Sequence, residues 1–173
     1  MLEAYERDDI EKVIREYSHV LYRTCFLMLK SKQDAEDVVQ ETFYKYITVN
    51  PKLNDEEHKK AWLLKVSQNK CKNLLRFHRV HPAVSFEEVA QNLVASEKIE
   101  IDELDEFFKI ANLSFKYKSA VILYYIEEYS VEEVAHILGI TKSAVKMRLK
   151  RAREILKETY EKNFEMEVNV NDF

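Results

Sequence analysis

The sequence predicts an all-α fold in two small helical domains, and three observations carry that expectation. Its 173 residues contain one glycine, Gly139, and two prolines, Pro51 and Pro82. Sheets need glycine in tight turns and bulges, so a chain this poor in it has little to build them with. Long stretches rich in Glu, Lys, Leu and Ala favour helix. Apolar residues also recur three and four apart along most of the chain, the spacing of one helix face. Hydrophobic residues make up 46% and charged residues 34%, the balance of a soluble globular protein.

The first helix is expected over about 9–30, with Ile10, Val13, Ile14, Tyr17, Val20, Leu21 and Met28 on one face. Ser31, three residues before Asp34, opens the second in the manner of a capping box. Ala35, Val38, Val39, Phe43, Tyr46 and Ile47 form its inward stripe, while Asp34, Asp37 and Glu41 fall on another face. Pro51 and the polar run 50–58 end it. A third helix starts near Asp55 or Glu56, carries Trp62, Val66 and Leu74 inward, and stops at about His78 before Pro82. A first domain therefore closes near residue 80. Residues 81–103 read as a flexible acidic linker with at most a short helix after Ser85.

Periodicity resumes with Leu104, Phe107, Phe108 and Ala111. Ser114 is placed to cap a helix through about Glu127 bearing Val121, Leu123 and Tyr124. Ser130 with Glu133 forms another capping box, opening a short helix through Leu138. Gly139 supplies the left-handed residue that ends it, and Thr141 caps a last helix to about Lys162. The second domain is thus 104–162, with a frayed tail over 163–173.

Charge is strongly segregated beneath a net value of −4. Residues 59–80 carry Lys59, Lys60, Lys65, Lys70, Lys72, Arg76 and Arg79 and no acid. Residues 142–153 carry Lys142, Lys146, Arg148, Lys150, Arg151 and Arg153, again with no acid. Residues 87–106 between them hold eight acidic groups against one lysine. The layout is two positive surfaces and a negative connector, whose charge is complementary to either basic surface.

Val131 to Arg153 reads VEEVAHILGITKSAVKMRLKRAR. Small Ala135 lets two helices cross closely, Gly139 makes the turn, and Val145 seats the second helix on the first, the grammar of a helix-turn-helix. With Ala144, Val145 and Leu149 inward, the outward residues suit a major groove. Lys142, Ser143, Lys146 and Met147 would approach bases, while Arg148, Lys150, Arg151 and Arg153 would grip phosphates.

The N-terminal half narrows this reading. DAEDVVQETF (34–43), AWLLKVSQNKCKNLLR (61–76) and LYRTCFLML (21–29) resemble the second conserved region of extracytoplasmic function sigma factors. Residues 113–153 are similar to that family's fourth region. The resemblance implies an alternative sigma factor that binds RNA polymerase core and recognises minus-ten and minus-35 promoter elements. It implies docking of Asp34, Asp37, Gln40 and Glu41 on the clamp helices of the polymerase largest subunit, acid against base. It implies minus-ten DNA handling by the third helix through Lys59, Lys60, Lys65, Asn69, Lys70, Lys72 and Arg76, with a flipped base held by the loop 48–58. Trp62 has the helical phase of a core anchor rather than a stacking platform. The family commonly has proline where this chain has Ser114. An anti-sigma factor is a further implied partner.

Enzymes are disfavoured on inventory. One glycine builds no phosphate-binding loop. His78 and His81 lack an acidic or cysteine partner nearby in sequence, and the 34–41 carboxylates lack a Glu-x-x-His partner for metal. No cofactor and no metal are expected. Cys25 and Cys71 belong to no C-x-x-C pair and read as reduced, buried thiols. The N-terminus has no secretory signal, and the longest apolar stretch, 120–126, is too short to span a bilayer, so a cytoplasmic protein is expected. The competing function is a stand-alone helix-turn-helix regulator that binds duplex DNA unaided as a dimer.

Overall fold

A computed structural model describes residues 4–80 and 112–170, with side chains over 8–80 and 112–162. The acidic linker, the short helix after Ser85 and the stripe Leu104, Phe107, Phe108 and Ala111 lie outside the described residues, which contain helices and no strand. They fall into two compact units, one built on the first three helices and one on the C-terminal helices.

The first unit comprises α1 (Ala4–Leu29), α2 (Lys32–Val49) and α3 (Glu56–Val80), each packed against the other two. Val13, Tyr17, Leu21, Cys25 and Met28 are the buried seam of α1, while Ile14 is turned out. Near its end α1 is enclosed on every side, from Thr24 through Leu29. α2 contributes Ala35, Val38, Thr42, Phe43 and Tyr46; α3 contributes Ala61, Leu63, Leu64, Val66, Ser67, Gln68 and Cys71. Each fully buried Leu, such as Leu21 or Leu64, is worth about 1.5–3 kcal/mol against exposure. Half-buried Trp62 meets Tyr46 edge-on at 5.9 Å, as expected of a core anchor.

Local signals set the helix ends. Ser31 accepts a 3.2 Å hydrogen bond from the Asp34 amide and so opens α2. Asn50, at φ 43°, closes α2. Asp55 Oδ1 accepts the His58 amide at 2.8 Å, so α3 begins at Glu56, where its start was expected, and the loop before it ends at Asp55 rather than running on to His58. Besides Gly139, the left-handed backbone region is occupied by Lys30, Asn50, Asn112 and Glu128.

In the second unit the first helix among the described residues is α4 (Phe115–Val121), which widens into a π-helical turn over Ile122–Ile126. The Glu127 amide donates to the Ile122 carbonyl at 3.0 Å, the longer reach of that turn. α5 (Val131–Leu138) and α6 (Lys142–Val170) follow, with α4 packed on α6. Ser114 precedes α4, but its hydroxyl caps nothing. The Tyr117 amide it would satisfy donates instead to the Ser114 carbonyl at 3.0 Å. α6 runs eight residues beyond the expected end at Lys162, because no glycine or proline interrupts residues 163–170. No helix among the described residues is long and apolar enough to cross a membrane.

Candidate functional site

Three exposed surfaces gather the residues singled out by the sequence. The first is on α2. Its inward stripe leaves Asp37, Gln40 and Glu41 exposed on one face, and Tyr44, 71% exposed, extends that face by one turn. Tyr44 was legible only as a break in the apolar stripe. Asp34 stands apart from the other three. It is half-buried in the first turn, where the helix dipole favours a carboxylate, and its Oδ2 lies 3.5 Å from His78 Nε2 at the far end of α3. His78 thus has an acidic neighbour that the sequence spacing hid. Glu41 Oε2 meets Lys70 Nζ of α3.

The second surface is on α3. Lys65, Asn69, Lys72 and Arg76 are exposed at spacings of four, three and four, one cationic stripe. Lys60 is half-buried and Lys70 leans towards Glu41. Lys59 is largely enclosed: its Nζ is 3.1 Å from Glu56 Oε1 and 3.8 Å from Asp9 Oδ1. Burial opposes its charge, but the Glu56 hydrogen bond with nearby Tyr46 and Asp9 outweighs that and raises its pKa. Hydrogen bonds from Lys59 and from the Tyr17 hydroxyl in turn hold the Glu56 carboxyl below its usual range. Lys59 therefore braces α3 against α1. Beyond Arg76, Phe77 and Val80 are exposed apolar groups that the charge pattern did not single out.

The third surface is on α6. Ser130 and Glu133 form the reciprocal box: Glu133 N donates to Ser130 Oγ at 3.2 Å and Ser130 N to Glu133 Oε2 at 2.7 Å. Gly139 at φ 65° ends α5, with Ile140 N bonded to the Ala135 carbonyl at 3.0 Å. Thr141 Oγ1 accepts the Ala144 amide at 3.1 Å and opens α6. Ala135, Val145, Leu149 and Ala152 are buried. Lys142, Ser143, Lys146, Met147, Lys150, Arg151 and Arg153 are exposed, and Arg148 is half-buried.

Several of these cations are pre-positioned. Lys142 Nζ lies 2.7 Å from Glu132 Oε1, and Arg151 Nη1 lies 2.9 Å from Glu154 Oε2, which raises the Arg151 pKa. Arg153 Nη1 donates to the Tyr125 hydroxyl at 2.8 Å. Sequence reading missed Tyr125 and Glu132; only the tertiary fold brings them to the helix.

No group of three His, Cys, Asp or Glu among the described residues is arranged to hold a metal ion, and His81 lies outside them. Cys25 and Cys71 are free and fully buried. Their thiols are hydrogen-bond neighbours, and that bond, with burial, pushes the Cys71 pKa up.

Residues 13–80 match the family model for sigma-70 region 2, and residues 109–156 match that for sigma-70, region 4. The chain is 32% identical over 157 residues to the ECF RNA polymerase sigma factor SigM of Bacillus subtilis (strain 168), covering 87% of this chain and 94% of that one. It is 27% identical over 144 residues to the RNA polymerase sigma factor SigV of the same organism, covering 83% and 86%. Among solved structures it is similar to the sigma factor RpoE of Bartonella quintana, solved in complex with the anti-sigma factor NepR. The TM-score is 0.70 at 25% identity, over 88% of this chain and 97% of that one.

Proposed function

The chain belongs to the extracytoplasmic function sigma factors of the sigma-70 family, and from that premise we propose how its surfaces divide the work of starting transcription. It is an alternative sigma factor that directs promoter-specific transcription initiation. The family is not one of enzymes.

In our reading, residues 1–80 dock on polymerase core and handle the minus-ten element, residues 104–162 recognise the minus-35 element, and 81–103 connect them. Asp37, Gln40 and Glu41 meet the clamp helices of the largest subunit, with Asp34 at the edge of that face. Lys65, Asn69, Lys72 and Arg76 hold the minus-ten strand, with Lys60 and Lys70 flanking them. Phosphates draw these cations through counterion release. The α6 surface enters the major groove, its first turns towards bases and its later cations on phosphates. An anti-sigma factor is the further protein partner, and the cytoplasm is where the chain works.

The observation that carries the docking assignment is the exposure of Asp37, Gln40 and Glu41 together on a helix whose other side is core. Run-off transcription with polymerase core on a promoter pool tests it, using the native chain and Asp37→Lys. Core-dependent transcripts lost in the variant are expected. Tight, specific binding of naked duplex without core-dependent transcription would favour a stand-alone regulator instead.

A further inference from the structure

We propose that Met147 reads a thymine 5-methyl group in the minus-35 element; the inference rests on the assignment of α6 to that element. Met147 is 68% exposed, although burying such a side chain is favourable. The core does not need it, since Val145, Leu149 and Ala152 already seat α6. It stands in the second turn of α6, the part of a recognition helix that approaches base edges.

Its neighbours on the helix face decide what it would meet. Ser143 and Arg151 are four residues away on either side, Lys150 is three away, and Lys146 adjoins it, all of them exposed. These groups hold hydrogen bonds and phosphates, so the thioether arrives at the floor of the groove flanked by cations. The major groove offers one apolar group there, the C5-methyl of thymine. Methionine, unbranched and polarizable, fits it by rotation without a fixed rotamer. A pair of apolar groups leaving water is worth about fourfold in affinity for each methyl covered.

The test uses holoenzyme assembled from polymerase core and the full chain. Each thymine of the minus-35 element, on either strand, is replaced singly by deoxyuridine, which removes only the methyl. Promoter affinity is read by fluorescence anisotropy. Native holoenzyme is expected to lose about fourfold at one position. Met147→Ser holoenzyme should start about that much weaker and be indifferent to uridine at that position, whereas Met147→Leu should keep the sensitivity. An unchanged thermal midpoint in the variants shows that the fold is intact. Uridine tolerated everywhere by the native protein, a Ser variant still sensitive, or a minus-35 element without any A·T pair would each overturn the proposal. Holoenzyme that starts transcription from no promoter would sink the sigma assignment of this surface, and this inference with it.

Discussion

Lys70 Nζ lies 2.5 Å from Glu41 Oε2, and this ion pair joins the acidic face of α2 to the cationic side of α3. Glu41 is 63% exposed, so the pair sits largely in water, where such contacts contribute about 0.2–1 kcal/mol. Lys70→Met should therefore change the urea midpoint of unfolding little. It releases the Glu41 carboxylate for a basic partner, so core affinity should rise a few-fold at low salt. A fall in core affinity would contradict the docking role of Glu41.

The Tyr125–Arg153 hydrogen bond of 2.8 Å makes a different prediction. Tyr125→Phe removes a bond worth about 0.5–1.5 kcal/mol but keeps the ring beside Tyr124 and the charge of Arg153. Promoter affinity of the holoenzyme should drop two- to threefold with an unchanged salt slope. Arg153→Ala should instead lower the slope by about one phosphate contact. Titrations at several salt concentrations separate the two outcomes.

Gly139, at φ 65°, tests the turn of the helix-turn-helix. Gly139→Ala should cost about 1–2 kcal/mol, and Gly139→Asn less, since asparagine tolerates left-handed backbone. Ser130→Ala removes one half of the box that starts α5 and should cost about 1 kcal/mol. Hydrogen exchange of the α5 and α6 amides reads both; equal protection in Gly139→Ala and the native chain would refute the first.

Cys71 carries a pH prediction. Its neighbour Cys25 and its burial raise the folded-state pKa, so the folded chain keeps a proton that the unfolded chain releases above about 8.5. Stability from this group is present in full below that pH and is lost as pH rises above it. Urea unfolding followed through Trp62 should show the decline, and Cys71→Ala should flatten it, although burial of Tyr46 raises its pKa too and adds a further fall above about 10. Both thiols should also resist alkylation at neutral pH until the chain unfolds.

Much of this was legible because it is local. Ala35, Val38, Phe43 and Tyr46 repeat at helical intervals and are buried. Ser31, Ser130, Gly139 and Thr141 act within a few residues of themselves, so their roles as helix starts and stops can be read from the string. What escaped depends on distant partners. Ile14 shares the spacing of the α1 seam yet is turned out. Thr24, Thr42 and Ser67 look like surface residues but are buried by the packing around them, each hydroxyl being satisfied by donating to a carbonyl of its own helix. Lys59 reads as one cation of an island and is held by Asp9, fifty residues earlier. The π-helical turn after Val121 leaves no mark in the apolar spacing.

The left-handed residues Lys30 and Glu128 bear on how long the molecule survives in a cell. Each holds a backbone that glycine adopts without side-chain conflict, at a penalty of about 1 kcal/mol after allowing for glycine's own entropy. One such change alters the folded-to-unfolded ratio about fivefold. Proteases act on the unfolded fraction, so Glu128→Gly should lengthen the survival of this protein several-fold without any change to its core.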